Sequence, residues 1–134
     1  QGCWNRLRLA QAQRLVEWLA SVRRDDAPVI IAGDVNAYAA EEPAAWLRRM
    51  GKRDLGAPFL EPSGRYTYVF QGQAGTLDSL LGPDTLGPRV LDAGIWHVNA
   101  DEPAFLGYAG QRPAPGPWRA SDHDPVWIDL TPAH

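Results

Sequence analysis

A chain of 134 residues has the length of one ordinary domain, and 45% hydrophobic with 22% charged residues excludes a wholly disordered protein. Its longest apolar runs fall far short of the roughly 20 residues that cross a bilayer, its single cysteine cannot form an internal disulfide, and no Cys/His spacing suggests zinc. A formal net charge of −3 argues against gripping nucleic acid by bulk positive charge. The charge is uneven, however. Arg6, Arg8, Arg14, Arg23 and Arg24 stand against Glu17 at the start, and Arg48, Arg49, Lys52 and Arg53 cluster further on. From His97 onward acids outnumber arginines. That distribution suits a solvated surface, or a polyanion bound through a metal ion. No charged-then-apolar leader opens the sequence, as expected if a signal peptide is absent or already removed.

Residues 5–24 read as an amphipathic helix, with Ala12, Leu15, Leu19 and Val22 at helical spacing, stopped by Asp25, Asp26 and Pro28. The β-branched run at 29–32 suits a strand in the middle of a sheet, buried on both faces. Pro43 opens a short helix over 43–50, which Gly51 closes. Residues 66–70 and 76–81 have strand composition, and the Gly-bearing stretch between them predicts a hairpin. A strand follows at 93–98, then a Pro/Gly-rich loop at 110–118, then a last strand at 126–130. Thirteen glycines and twelve prolines imply many turns, and no internal repeat is visible. This order predicts an α/β fold, a mixed β-sheet with helices on it. The six tryptophans predict core and interface packing.

Three polar clusters sit where strands end. In Gly33-Asp34-Val35-Asn36, alternation puts Asp34 and Asn36 on one side, where a carboxylate and an amide could position water and stabilise charge. The same composition also suits a plain turn. Asp78 lies inside an apolar strand and needs a partner, a metal or a solvent-facing position. In Ser121-Asp122-His123-Asp124-Pro125, Asp122 and His123 point to opposite faces if the chain is extended. A carboxylate there suits a hard cation such as Mg²⁺, and an imidazole suits proton transfer or a bond to a phosphoryl oxygen. His oriented by a buried Asp is a recurring pair, with Asp78 an available orienter.

Gly-Asp-x-Asn after an apolar strand, then Leu77-Asp78, then Ser121-Asp122-His123-Asp124-Pro125-Val126, in that order, resembles the signature of the endonuclease/exonuclease/phosphatase superfamily. The likeness is closest to large secreted bacterial extracellular nucleases, through segments 1–5, 68–73 and 96–103, and runs from residue 1 to about Leu130. It implies that Asp34 orients or deprotonates the attacking water and that Asn36 donates to a phosphoryl oxygen. Asp78 would orient His123, His123 would bond the phosphate, and Asp122 would be a metal ligand. The implied cofactor is Mg²⁺, or Mn²⁺ or Ca²⁺, the implied substrate is nucleic acid, and the implied location is extracellular.

Two departures accompany the resemblance. Ser79 stands where the family usually has His after the aspartate, and nothing in the chain matches the family's metal-binding Glu or its second catalytic His. Those belong to an N-terminal half, so the resemblance implies that residues 1–134 form the C-terminal portion of the domain. The expected fold is then half of a four-layer α/β/β/α sandwich, with helices on one face and the other face uncovered. Cys3 would pair with a cysteine further upstream. An uncovered apolar face predicts a homodimer, sheet to sheet, or aggregation. The functional expectation is divalent-metal-dependent phosphodiester hydrolysis, with this chain carrying part of the site. A non-catalytic α/β module and a lipid or inositol phosphodiesterase are the alternatives. His97, beside Trp96, suits a structural histidine, a metal ligand or a partner contact.

Overall fold

A computed structural model describes residues 2–23, 25, 27–107 and 116–132. Helix α1 spans Asn5–Val22 and begins on Trp4 in the left-handed conformation without a side-chain cap. It ends two residues before the expected boundary. The Arg23 N–H closes the last turn on the Leu19 carbonyl at 2.9 Å, and Arg23 itself is extended. Arg24 and Asp26 lie outside the described residues. Ala12 is buried against Leu47 and Leu81, while Trp18 and Val22 on the same helix stay exposed.

Strand β1 covers Ile31–Asp34, two residues later than the sequence predicts. It is also not central. It pairs antiparallel with β5, Asp78–Gly82, whose other side pairs with the two-residue β2, Arg53–Asp54. In the order β1–β5–β2 the strand is an edge, and its residues alternate between half-buried and exposed rather than being buried on both faces. Between β1 and β2 comes α2, Glu42–Arg49, with Pro43 in its first turn as expected.

The expected hairpin forms differently. Strand β3, Tyr68–Phe70, turns back at once into β4, Gln73–Gly75, so the connection supplies the return strand. Gln71 and Gly72 both have positive φ (50° and 77°), the requirement of a two-residue turn whose twist matches the strands. Residues 78–82 are thereby released to pair with β1.

Strand β6, Val90–Ile95, pairs antiparallel with β7, Val126–Leu130, with a register irregularity between Val90 and Asp92. The last strand matches the prediction; β6 lies three residues earlier than predicted because the chain turns away after Trp96. Residues 110–115 of the expected loop lie outside the described residues. All strand pairings among the described residues are antiparallel, which corrects the expected mixed sheet.

The α/β class holds. Cross-strand register puts Ile31 and Leu81 on one face, and this face packs on Ala12, Leu47, Val16 and Trp46 of the two helices. A second cluster gathers Leu55, Leu86 and Val90 beneath Ile128 and Leu130. For the tryptophans, the expected core packing holds for one of the six. Trp46 alone of the six packs against a buried cluster, while Trp4, Trp18, Trp96, Trp118 and Trp127 are all exposed. No described helix is long and apolar enough to cross a membrane.

Candidate active site

The antiparallel register sets Asp34, the last residue of β1, directly opposite Asp78, the first of β5. Directly paired residues share a face of the sheet, so their side chains are neighbours. His123 enters from a third direction, through an isolated antiparallel bridge to Tyr68. Its Nδ1 lies 2.7 Å from Asp78 Oδ2, and its ring tilts against the Tyr68 ring at 4.7 Å between centroids. Ligand atoms of Asp34, Asp78 and His123 all lie within 4.8 Å of one another. Segments separated by more than forty residues thus converge on one point.

Asn36 joins this group by a turn, not by the alternation expected from sequence. Its φ is +49°, and its N–H donates to Asp34 Oδ1 at 2.6 Å, an aspartate bonding the backbone two residues on. Arg8 holds the same turn from α1: its guanidinium donates to the Asn36 carbonyl, to Cys3 O at 3.0 Å, and to Glu41 through two nitrogens at 2.9 and 3.1 Å. The Arg8 bond holds the Glu41 carboxyl at about 2, with the Gly2 and Tyr38 N–H groups assisting against partial burial. Cys3 is a free, exposed cysteine. It lines a cleft of about 710 Å³ with Trp4, Tyr38, Tyr68, Phe70 and Asn36.

Asp122 is half-buried next to His123 and is not one of the three residues whose ligand atoms converge. Ser79 faces away from the site with Leu81, on the side where the helices pack, since register pairs Asp78 and Leu80 with the opposite face.

Sequence reasoning gave no role to Asp124, Thr67 or Asn99, all fully or nearly buried. Asp124 Oδ1 accepts N–H bonds from Val98, Asn99 and Ala100 at 3.1, 2.8 and 2.9 Å, and its Oδ2 lies 2.8 Å from His97 Nδ1. Burial opposes its ionisation, but these N–H groups and His97 outweigh burial and hold its carboxyl below the usual range. His97 is therefore a structural partner of Asp124, stacked on Tyr66 at 4.3 Å. The Tyr66 hydroxyl donates to Asp101, a bond that with burial pushes its pKa up to about 12. The Trp-His-Val-Asn segment was the one sequence signal for this cluster.

No protein-family model and no curated protein matches the chain. Among solved structures its fold is similar to that of an AP endonuclease from Archaeoglobus fulgidus, with a TM-score of 0.63 at 15% sequence identity. The match covers 96% of this chain and 55% of that one, so the chain spans about half the length of its structural neighbour. The likeness shows the fold, a partial α/β sandwich.

Proposed function

We propose that this chain carries part of a divalent-metal-dependent phosphodiester-hydrolysing site that acts on nucleic acid, as in the extracellular nucleases its motifs resemble. The observation that carries the reading is the convergence of Asp34, Asp78 and His123 from three separate segments. Structural likeness to an AP endonuclease supports a nuclease-type chemistry.

The carboxylates of Asp34 and Asp78, close together in this group, offer hard oxygen donors that fit a divalent cation such as Mg²⁺ or Mn²⁺, with Asp122 the further ligand that the motif implies. A cation bound there neutralises charge on the phosphodiester. The chain's own groups do the rest. Asp34, fixed by the Asn36 N–H, holds and deprotonates the attacking water. Asp78 accepts the Nδ1–H of His123, and when the ring carries both hydrogens its Nε2–H donates to a phosphoryl oxygen. Asn36 is held by Arg8 at the rim of the aromatic cleft, where its amide donates to the transition-state oxygen. Trp4, Tyr38 and Phe70 offer exposed rings on which bases can stack.

The remainder of the domain, preceding residue 1, supplies the missing Glu and second His, and covers apolar side chains exposed here. The experiment is plasmid and RNA cleavage with Mg²⁺ by the chain alone and by the chain joined to that half. Weak or no cleavage alone and metal-dependent cleavage when joined, abolished by Asp34→Ala and His123→Ala, is the expected result. Cleavage of sphingomyelin but not nucleic acid identifies a lipid phosphodiesterase, and no turnover in either form identifies a non-catalytic module.

A further inference from the structure

The turn at residues 97–100 is the one sequence motif that the catalytic group leaves unused, and it is built around the backbone of His123. The His123 carbonyl accepts from Asn99 Nδ2 at 2.6 Å, and the His123 N–H donates to Ser121 Oγ at 3.1 Å. One residue on, the Asp124 N–H donates to the Thr67 carbonyl at 2.8 Å. Thr67 Oγ1 in turn accepts from the N–H groups of Leu77 and Asp78, at 3.1 and 3.2 Å. A single side chain and its own carbonyl therefore tie together both halves of the His123–Asp78 pair. Asn99 is equally committed: its Oδ1 accepts from the Ala120 N–H at 3.0 Å and its carbonyl from Arg119 at 2.7 Å.

From this geometry we propose that Asn99, seated by the Asp124 carboxylate, is a positioning residue for His123: it fixes the imidazole against Asp78 without touching substrate. The proposal rests on the hydrolytic reading above for its catalytic consequence, but its structural content stands apart from it. Asn99 donates an amide hydrogen to the carbonyl of His123, fixing the peptide plane that follows the Cα bearing the imidazole. Asp124 fills the turn beneath with a fully buried carboxylate, so Asn99 has little room to move. A small misplacement of a catalytic group is enough to cost tens of fold in rate.

The test uses Asn99→Asp, which keeps an acceptor for the Ala120 N–H and sets an oxygen against the His123 carbonyl. Where that variant does not fold, Asn99→Ala removes the donor without adding charge. In ¹⁵N-histidine-labelled protein, the Nδ1–H signal of His123 bonded to Asp78 is expected to shift or broaden out while circular dichroism stays unchanged. In the cleavage-competent form, kcat is expected to fall about tenfold or more with KM within about twofold. An unchanged His123 signal in a folded variant overturns the proposal whatever the activity. Absence of cleavage by the unsubstituted joined form counts against the hydrolytic reading, and the histidine signal still decides the positioning role.

Discussion

Asp124 gives the sharpest quantitative prediction. Its side chain is fully buried and serves three backbone N–H groups and His97. Asp124→Ala strands those donors in a dry turn. One unsatisfied buried polar group costs about 1–3 kcal/mol, and Asp124→Ala leaves three backbone N–H groups and His97 without their acceptor. The costs overlap, so the expected loss is about 3–5 kcal/mol, a large share of a total near 5–15 kcal/mol. With a urea slope near 2 kcal/mol/M, the unfolding midpoint should drop by about 1.5–2.5 M. Asp124→Asn behaves differently. Its Oδ1 still accepts from Val98, Asn99 and Ala100, and its amide can donate to His97 Nδ1 while His97 Nε2–H turns to the Gly64 carbonyl, 3.1 Å away. The expected loss is then about 1 kcal/mol. Urea titration followed by far-ultraviolet circular dichroism measures both. Equal losses in the two variants would refute the reasoning, because charge and not acceptor geometry would then hold the turn. A loss below about 0.5 kcal/mol for Asp124→Ala would refute it outright.

Acid should weaken the fold through two carboxylates. Glu41 is held at about 2 against an ordinary 4.5, and Asp124 also lies below its ordinary 3.8, so both favour the folded state fully above those ordinary values. That stability is lost as pH falls toward the folded values, so thermal midpoints should drop progressively below about pH 4.5, and Glu41→Gln should flatten the drop. Gly82→Ala should cost about 1–3 kcal/mol in urea titration, since a Cβ there would lie 2.6 Å from Leu55 Cδ1 and 3.3 Å from Leu86 Cδ1. In the cleavage-competent form, Asp78→Asn should lower kcat about 10²–10⁴-fold, as expected when the phosphate-bonding histidine loses its orienter; a fall under about tenfold would detach Asp78 from the chemistry.

The motifs that hold Asp34, Asp78 and His123 were legible as short polar clusters beside strands; register then sets Asp34 opposite Asp78, and a bridge to Tyr68 brings His123 to them. α2 and β7 were legible from Pro43 and from strict alternation at Val126, Ile128 and Leu130. The hairpin was misread because Gln71-Gly72 looked like the middle of a longer loop, when two positive φ values make it the whole turn. β1 was placed by its β-branched run, yet pairing begins only at Ile31 and continues through Gly33. Asp124 and Asn99 were legible only as members of motif segments, without a role, and Thr67 left no such trace. Their roles depend on a carboxylate meeting backbone N–H groups some 25 residues away, which no local pattern encodes.

The edge position of β1 makes the site unevenly stiff. Asp78 and His123 are pinned by Thr67, Asn99 and the centre of a sheet, whereas Asp34 is laddered on one side only, to β5. Amides along β1 should therefore exchange with solvent sooner than those of β5. In the proposed reaction the group assigned to water is the compliant one, and the pair assigned to the phosphate is the fixed reference against which it moves.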